Sequence, residues 1–427
     1  MRAIEASLAG LAVIAALVFA RPTHATSESL FGFGPRNIAL AQSDVAYAPS
    51  VAAAWTNPAF LSKPGVRVAL GYSHGLASLK LDGLDGGVRD IAGTQIALQI
   101  GEKLGEDLTL GGGLALHLPN RSLARIAFHP GTEPTFVRFD PASHRTTFDA
   151  ALALKWGWFS IGAGASVLAS AEGKIDLLLG HNANGAFADG EADVMMPYSA
   201  LPLLGLAADF GRVGFGFRYR GPQAFDLGFA TVAEIDVQGN PLNGVTTVGV
   251  YGASGYVPAT LDMGAQFSPL SGVRLMTSLE VAMWSKASVS AARLSMDVKL
   301  GLTPGMREGE FVRPGYRDTL SPRVGVEYVP GGDSAWVFRA GYAFAPSPVT
   351  QPRGFASPAD ASTHAAGAGM GLDLGNVWGV DLRIDAAFQW LALNRREFDK
   401  GRDTLPFARY EASGFVGVGS VAVEGAW

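Results

Sequence analysis

The chain contains no cysteine, few charged residues and no long apolar run after Ala20. Without cysteine, a disulfide framework and a thiolate metal site are both excluded. Charged residues make up 17% of the 427 positions, and the formal net charge of −5 comes without basic clusters, so no nucleic-acid partner is expected. A membrane-spanning helix needs about 20 apolar residues. No later segment supplies them, so an inner-membrane helical protein is excluded as well.

The first 25 residues have the arrangement of a secretion signal. Arg2 precedes an apolar stretch from Leu8 to Ala20, and a polar segment follows that ends at Ala25. Cleavage after Ala25 would leave small or neutral residues at the two positions that the signal peptidase reads. We therefore expect residues 1–25 to be a signal peptide and the remaining chain to be exported.

From Val66 onward, apolar and polar residues alternate with the period of a β-strand. In the segment that begins at Val273, the residues Leu275 and Leu279 share one face, whereas Arg274 and Glu280 share the other. Many of these segments run for about ten residues or more, which suits a tilted membrane strand. The pattern predicts fourteen strands, at residues 66–74, 91–101, 107–118, 145–156, 158–170, 197–210, 212–221, 258–268, 272–284, 318–329, 335–345, 363–374, 379–393 and 411–427.

The connections between these strands alternate strictly between short turns and long loops. Short turns such as Gly157 and Gly211 join even to odd strands, whereas long segments such as 222–257 and 285–317 join odd to even strands. Outer-membrane barrels have an even strand number, short periplasmic turns and longer extracellular loops. Closing the sheet also satisfies every backbone group in lipid. The sequence therefore predicts an all-β protein, a fourteen-stranded antiparallel transmembrane β-barrel of the outer membrane.

The segment between the signal and the barrel is rich in small residues and ends in Asn57, Pro58 and Ala59. This segment resembles the N-terminal plug, or hatch, of the FadL/TodX family of outer-membrane transporters for long-chain fatty acids and other hydrophobic compounds. The resemblance continues through LGGGLALHLP at 110–119, VAMWSKAS at 281–288 and LRIDAAFQWLAL at 382–393. It implies a signal peptide at 1–25, a plug at 26–64 inside the barrel lumen and a barrel at 65–427.

The same resemblance implies passive uptake of hydrophobic molecules such as long-chain fatty acids across the bacterial outer membrane. In that family the compound is captured among extracellular loops and leaves sideways into the membrane where the third strand is kinked. Here the third strand carries Gly111, Gly112 and Gly113, and glycines inside a strand mark bends or close backbone approach. The alternative is that these glycines are ordinary for a glycine-rich barrel strand.

The candidate residues for contact with an apolar ligand are aromatic residues of the plug and of the loop after the third strand. They are Phe31, Phe33, Phe60, Phe128, Phe136 and Phe139. Trp55 and Leu61 are expected to pack the plug against the barrel wall. Asn57 and Pro58 are expected to fix a turn, because proline sets its own backbone angle and asparagine caps local turns.

Charges of both signs face the predicted lumen, which favours ion-paired packing of the interior. They are Arg67, Lys155, Arg218, Arg274, Glu280, Arg323, Glu327, Arg339, Asp381, Arg383 and Asp385. The alternative is that one of these arginines binds the carboxylate of a substrate. His117 and His364 raise the question of a hydrolase, but no serine stands at an obvious partnering position, so no enzyme activity is expected. The histidines are scattered, and neither a metal nor a cofactor is expected.

Two other functions remain open at this point. A structural or secretion-system adaptor would keep the barrel and plug but bind a protein partner and no lipid. A water-filled porin would conduct ions, whereas residues 31–62 would block its lumen. The expected partners are a hydrophobic small molecule, outer-membrane lipid and, during biogenesis, the barrel-assembly machinery, and the protein is expected to be a monomer.

Overall fold

The structure, a computed structural model, describes residues 28–88, 90–120, 133–139, 146–168, 171–181, 187–196, 199–222, 226–235, 244–253, 258–287, 292–300, 315–354 and 356–427. Fourteen antiparallel strands form one closed sheet in which each strand pairs with its neighbours in the chain and the first strand also pairs with the last. The strands are β1 (Gly65–Leu81), β2 (Ile91–Lys103), β3 (Leu108–Pro119), β4 (Thr147–Trp156), β5 (Phe159–Leu168), β6 (Ser199–Asp209), β7 (Val213–Arg220), β8 (Thr260–Leu270), β9 (Val273–Ala282), β10 (Thr319–Tyr328), β11 (Trp336–Ala345), β12 (Thr363–Val377), β13 (Val380–Asp399) and β14 (Arg409–Ala426).

The predicted barrel and its strand number are therefore confirmed. The short turns gather at one end of the barrel, which we call the turn end, and the long connections leave from the other, the loop end. Two strands run further toward the loop end than the alternation predicts. β1 continues to Leu81, and β13 continues to Asp399.

The long connections hold more regular structure than expected of loops. Five further strands form a separate antiparallel sheet. They are Ala171–His181, Phe187–Met196, Asp226–Ile235, Gly244–Ala253 and Ala292–Leu300. Two shorter connections pair in parallel, Thr135–Phe136 with Pro358–Ala359.

The outer surface of the barrel is apolar, as the alternating pattern predicts. Leu70, Ile100, Phe215 and Val324 are each more than half exposed on this surface. Aromatic residues are exposed at the turn end, among them Trp156, Trp158, Phe210, Trp336, Trp378 and Trp427. An apolar band bordered by aromatic residues is the surface that transmembrane barrels present to lipid and its interface.

The segment before β1 fills the lumen as three short helices and two single turns of 3₁₀-helix. The helices are α1 (Glu28–Phe31), α2 (Gly34–Ala39) and α3 (Ala53–Thr56), and the turns are Asp44–Ala46 and Pro58–Leu61. None of the helices in the described part of the chain could cross a membrane. Together these elements form the plug, which contacts all fourteen strands.

Candidate functional site

The plug sits in a ring of glycines that face it from the barrel wall. A Cβ atom added at any of these positions would come closer to a plug atom than real Cβ contacts allow. The glycines lie on nine strands and are Gly101, Gly111, Gly113, Gly162, Gly205, Gly216, Gly264, Gly325, Gly341, Gly367 and Gly369. Because these residues lack side chains, the plug backbone reaches the wall directly. We call this ring the glycine seat.

Polar contacts anchor the plug within this seat. Arg36 of α2 binds Asp44 at 2.7 Å and Glu327 of β10 at 3.0 Å. The Asn57 side chain donates to the backbone oxygens of Val45 at 2.8 Å and Leu206 at 3.2 Å and accepts from the Ala59 N–H at 3.1 Å. Asn57 thereby caps the turn that Pro58 begins, the role predicted from their sequence.

A cavity of about 120 Å³ lies in the lumen above the plug, toward the loop end. Its lining combines plug residues, strand residues and the loop that follows β3. The lining residues used below are Trp55, Arg138, Phe139, Arg218, Arg220, Glu280, Ala282, Trp284, Thr319, Ser321, Arg323, Ala343, Ala345, Ala365 and Gln389.

The apolar side of the cavity belongs to a large hydrophobic cluster that joins the plug to the long connections at the loop end. Phe31 of the plug, Phe136 and Phe139 of the loop after β3, and Trp284 after β9 are all members. Phe136 and Phe139 are almost fully buried and meet edge to face with their centroids 6.4 Å apart. A buried hydrophobic cluster therefore runs from the loop end down to the plug.

Arg138 holds this loop over the lumen. Its guanidinium binds Asp360 at 3.0 Å and donates to the Thr363 hydroxyl at 2.9 Å. Burial raises the pKa of the Asp360 carboxyl above its ordinary value, and the facing Arg138 offsets this only in part.

The polar side of the cavity is electrically balanced. Each of the four arginines in its lining is paired with a carboxylate. Arg218 binds Asp262 at 2.7 Å and Arg220 binds Asp149 at 3.0 Å. Arg323 binds both Asp262, at 3.0 Å, and Glu280, at 2.7 Å, and Arg138 binds Asp360, so four cations face four anions.

The predicted ion-paired packing of the lumen is thus confirmed for nine of the eleven charges named from the sequence. They are Arg67, Arg218, Arg274, Glu280, Arg323, Glu327, Arg339, Arg383 and Asp385. The partners Asp149 and Asp262, as well as Arg220, were missed. Their signal was present, since each is a charged residue inside an alternating strand pattern.

Two uncharged polar atoms in the lining have no hydrogen-bond partner among the described residues. They are the indole N–H of Trp55 and the amide oxygen of Gln389, and both side chains are almost fully buried. The guanidinium of Arg220 also lies over the Trp55 ring, 3.9 Å from its centroid. Both atoms are themselves buried, although their side chains belong to the cavity lining.

The aromatic residues predicted to contact a ligand separate into three groups. Phe139 lines the cavity, whereas Phe31 and Phe136 lie behind the lining in the same hydrophobic cluster. Phe33 and Phe60 belong to a second cluster, between plug and wall, where Phe33 stacks on Trp55 with centroids 6.0 Å apart. Phe128 lies outside the described residues. Trp55 both packs the plug, as expected, and lines the cavity.

The three glycines of β3 do not interrupt the barrel wall. β3 pairs residue by residue with β2 and with β4 through Gly111, Gly112 and Gly113, with no shift of register. Both ladders therefore continue without interruption through the position at which a kink is predicted. Gly111 and Gly113 instead belong to the glycine seat, where they leave room for Leu61 of the plug, whereas Gly112 faces Leu152 on the outer side.

No family model and no curated protein sequence matches the chain. Solved structures do match its fold over nearly its whole length. A FadL homologue from Pseudomonas aeruginosa has a TM-score of 0.54 at 15% identity, covering 96% of this chain and 99% of its own. The monoaromatic hydrocarbon channel CymD, with 94% and 99% covered, and the toluene transporter TodX from P. putida, with 93% and 99% covered, both have a TM-score of 0.56 at 15% identity. The chain thus has the fold of FadL/TodX-type transport channels.

Proposed function

We propose that this protein is a member of the FadL/TodX family that takes up small hydrophobic molecules passively across the bacterial outer membrane. The observation that carries the proposal is the cavity above the plug. One side of this cavity is formed by the hydrophobic cluster that joins the plug to the loop-end connections. Residues 1–25 would direct export, and the apolar outer surface would face lipid. Passive partition needs no catalytic residue, because each methylene removed from water contributes about 0.8 kcal/mol.

The balanced charges favour an uncharged ligand over a fatty acid. A carboxylate entering the cavity would have to compete with a carboxylate already bound to its arginine, and separating a buried pair costs roughly 3–5 kcal/mol. An uncharged molecule avoids this cost.

The size of the cavity favours a single-ring compound. An apolar cavity of roughly 150 Å³ holds one benzene molecule, and the cavity here is about 120 Å³. A long-chain fatty acid, the first expectation from the sequence, would need a much larger space. We therefore take uncharged single-ring compounds as the substrate class, in line with the toluene and monoaromatic channels that share the fold.

The experiment compares two neighbouring alanines of β12. Ala365 lines the cavity, whereas Ala366 is exposed on the outer surface. The variant Ala365→Leu should fill part of the cavity and slow the uptake of labelled toluene into cells that lack other hydrocarbon channels. The matched variant Ala366→Leu should leave uptake unchanged.

Equal uptake by both variants, with both barrels shown to be folded by heat-modifiable migration on gels, would contradict the proposal. The adaptor function predicts another result. In that case neither variant nor the parent protein would raise uptake above that of cells without the protein, and a protein partner would copurify in stoichiometric amount.

A further inference from the structure

Among the described residues beside the cavity, the ladder between β10 and β11 stops before either strand ends. These strands share only six residue pairs, from Arg323–Ala343 to Tyr328–Phe338. Both strands continue beyond Arg323–Ala343 toward the loop end. There β10 remains paired with β9 as far as Ala282–Thr319, and β11 remains paired with β12 as far as Ala345–Thr363. The facing edges, residues 319–322 and 344–345, form what we call the seam.

The sequence explains why the seam stays open. Pro322 lies on the β10 edge, and Pro346 and Pro348 continue the β11 edge. Proline has no N–H, so three donors that a ladder would use are missing from these facing segments.

The two chains meet again just beyond the seam. The N–H of Arg317 donates to the backbone oxygen of Pro348 at 2.9 Å, and the Arg317 guanidinium donates to that of Ser347 at 3.1 Å. The five residues from Asp318 to Pro322 therefore have no backbone pairing on the β11 side, whereas pairing or hydrogen bonding is present before and after them. We call this stretch the window. At about 3.3 Å per residue, this window is roughly 15 Å long.

The seam separates the cavity from the lipid-facing surface by a single layer of backbone. On the inner side, Ser321 of β10 and Ala343 and Ala345 of β11 line the cavity, and all three side chains are small. On the outer side, Leu320 and Pro322 are exposed. A molecule that moves through the seam would exchange one apolar surface for another.

For a bound molecule, the plug is the obstacle that a sideways route would avoid. It contacts every strand below the cavity, and its backbone lies directly against the glycine seat. β3, where the resemblance places the lateral opening, is paired with both neighbouring strands through its three glycines. We propose that the seam between β10 and β11 is the lateral passage between cavity and membrane, an inference that rests on the proposed uptake function.

The absence of native cysteine allows a direct test by cross-linking. Continuing the β10–β11 register by two residues places Ser321 opposite Ala345, so the variant Ser321→Cys/Ala345→Cys can be closed by oxidation or by a short bismaleimide. The matched control is Thr277→Cys/Val324→Cys, a paired rung on the other edge of β10 whose side chains are exposed on the outer surface and do not line the cavity. Cross-link formation is verified by mass spectrometry.

Closing the seam should reduce toluene uptake to the level of cells without the protein, and reduction of the disulfide should restore it. Cross-linking the control should leave uptake unchanged. A bound single-ring compound should still be detected in the closed protein by native mass spectrometry, since only its passage is blocked. Pro322→Val, which restores a backbone N–H on the edge of β10 while its side chain stays on the outer face, should slow uptake without narrowing the cavity.

Uptake that continues unchanged through the closed seam would overturn the inference while leaving the proposed function intact. If the uncross-linked variants and the parent protein all fail to raise toluene uptake, the proposed function itself fails. The two failures are therefore distinguishable in one set of measurements.

Discussion

The most informative single substitution is Gly111→Ala, because it separates two roles for the glycines of β3. A Cβ at residue 111 would lie 2.7 Å from the carbonyl carbon of Leu61, against 3.4 Å for ordinary contact. The plug backbone would have to retreat by the difference, at least about 0.7 Å. This retreat would also strain the hydrogen bond from the Gln99 amide to the Leu61 oxygen, now 2.9 Å long.

The cost can be estimated from these two contacts. Losing one buried hydrogen bond costs about 1 kcal/mol, and overpacking a close-fitting site costs about 1–3 kcal/mol. We therefore expect Gly111→Ala to lower the free energy of unfolding by roughly 2–4 kcal/mol. The measurement is equilibrium urea unfolding in detergent micelles, combined with proteolysis of the plug in the folded barrel.

Gly112→Ala is the discriminating control. Its Cβ would be too close only to the flexible end of Leu152, at 2.9 Å, and Gly419→Ala would meet nothing within 4 Å. A seat for the plug therefore predicts a large effect at Gly111 and small effects at Gly112 and Gly419. Equal destabilisation at Gly111 and Gly112 would refute the seat and favour a backbone role for the whole glycine run.

Two further predictions concern the plug and the loop over the lumen. Asn57→Ala removes three hydrogen bonds, two of them buried and one partly buried, and should destabilise the protein by roughly 2–4 kcal/mol, measured by urea unfolding. Asn376→Ala at an exposed site should cost much less. Because the pKa of Asp360 is raised, the folded protein binds this proton more tightly than the unfolded chain does. The resulting stabilisation is fully present below the unfolded pKa of 3.8 and is lost as the pH rises through the folded pKa. The urea midpoint should therefore fall with rising pH relative to Asp360→Asn, and parallel pH profiles would contradict this.

The barrel could be predicted from the sequence because its evidence is local. Period-two alternation and the strict order of short and long connections gave all fourteen strands. Most of their ends agree with the structure within three residues. The ends of β1 and β13 were missed because both strands continue beyond the apolar band, where alternation no longer marks one face as lipid-facing.

The site could be predicted only in part, because its contacts join distant segments. Asp149 and Arg220 meet across 71 residues of sequence, and no local pattern pairs them. The glycines of β3 are compatible with a kink or with the close approach of another segment, and only the position of Leu61 shows the close approach. Pro322 did carry a local signal, since a proline inside a strand pattern marks an unpaired edge.

The central claim is that the cavity passes uncharged hydrophobic molecules. The most direct measurement compares the uptake of toluene with that of benzoate, which has a similar ring but is charged at neutral pH, by cells with and without this protein. The balanced ion pairs of the cavity predict that the protein accelerates the uptake of toluene and not that of benzoate. Equal or greater acceleration of benzoate uptake would contradict the account.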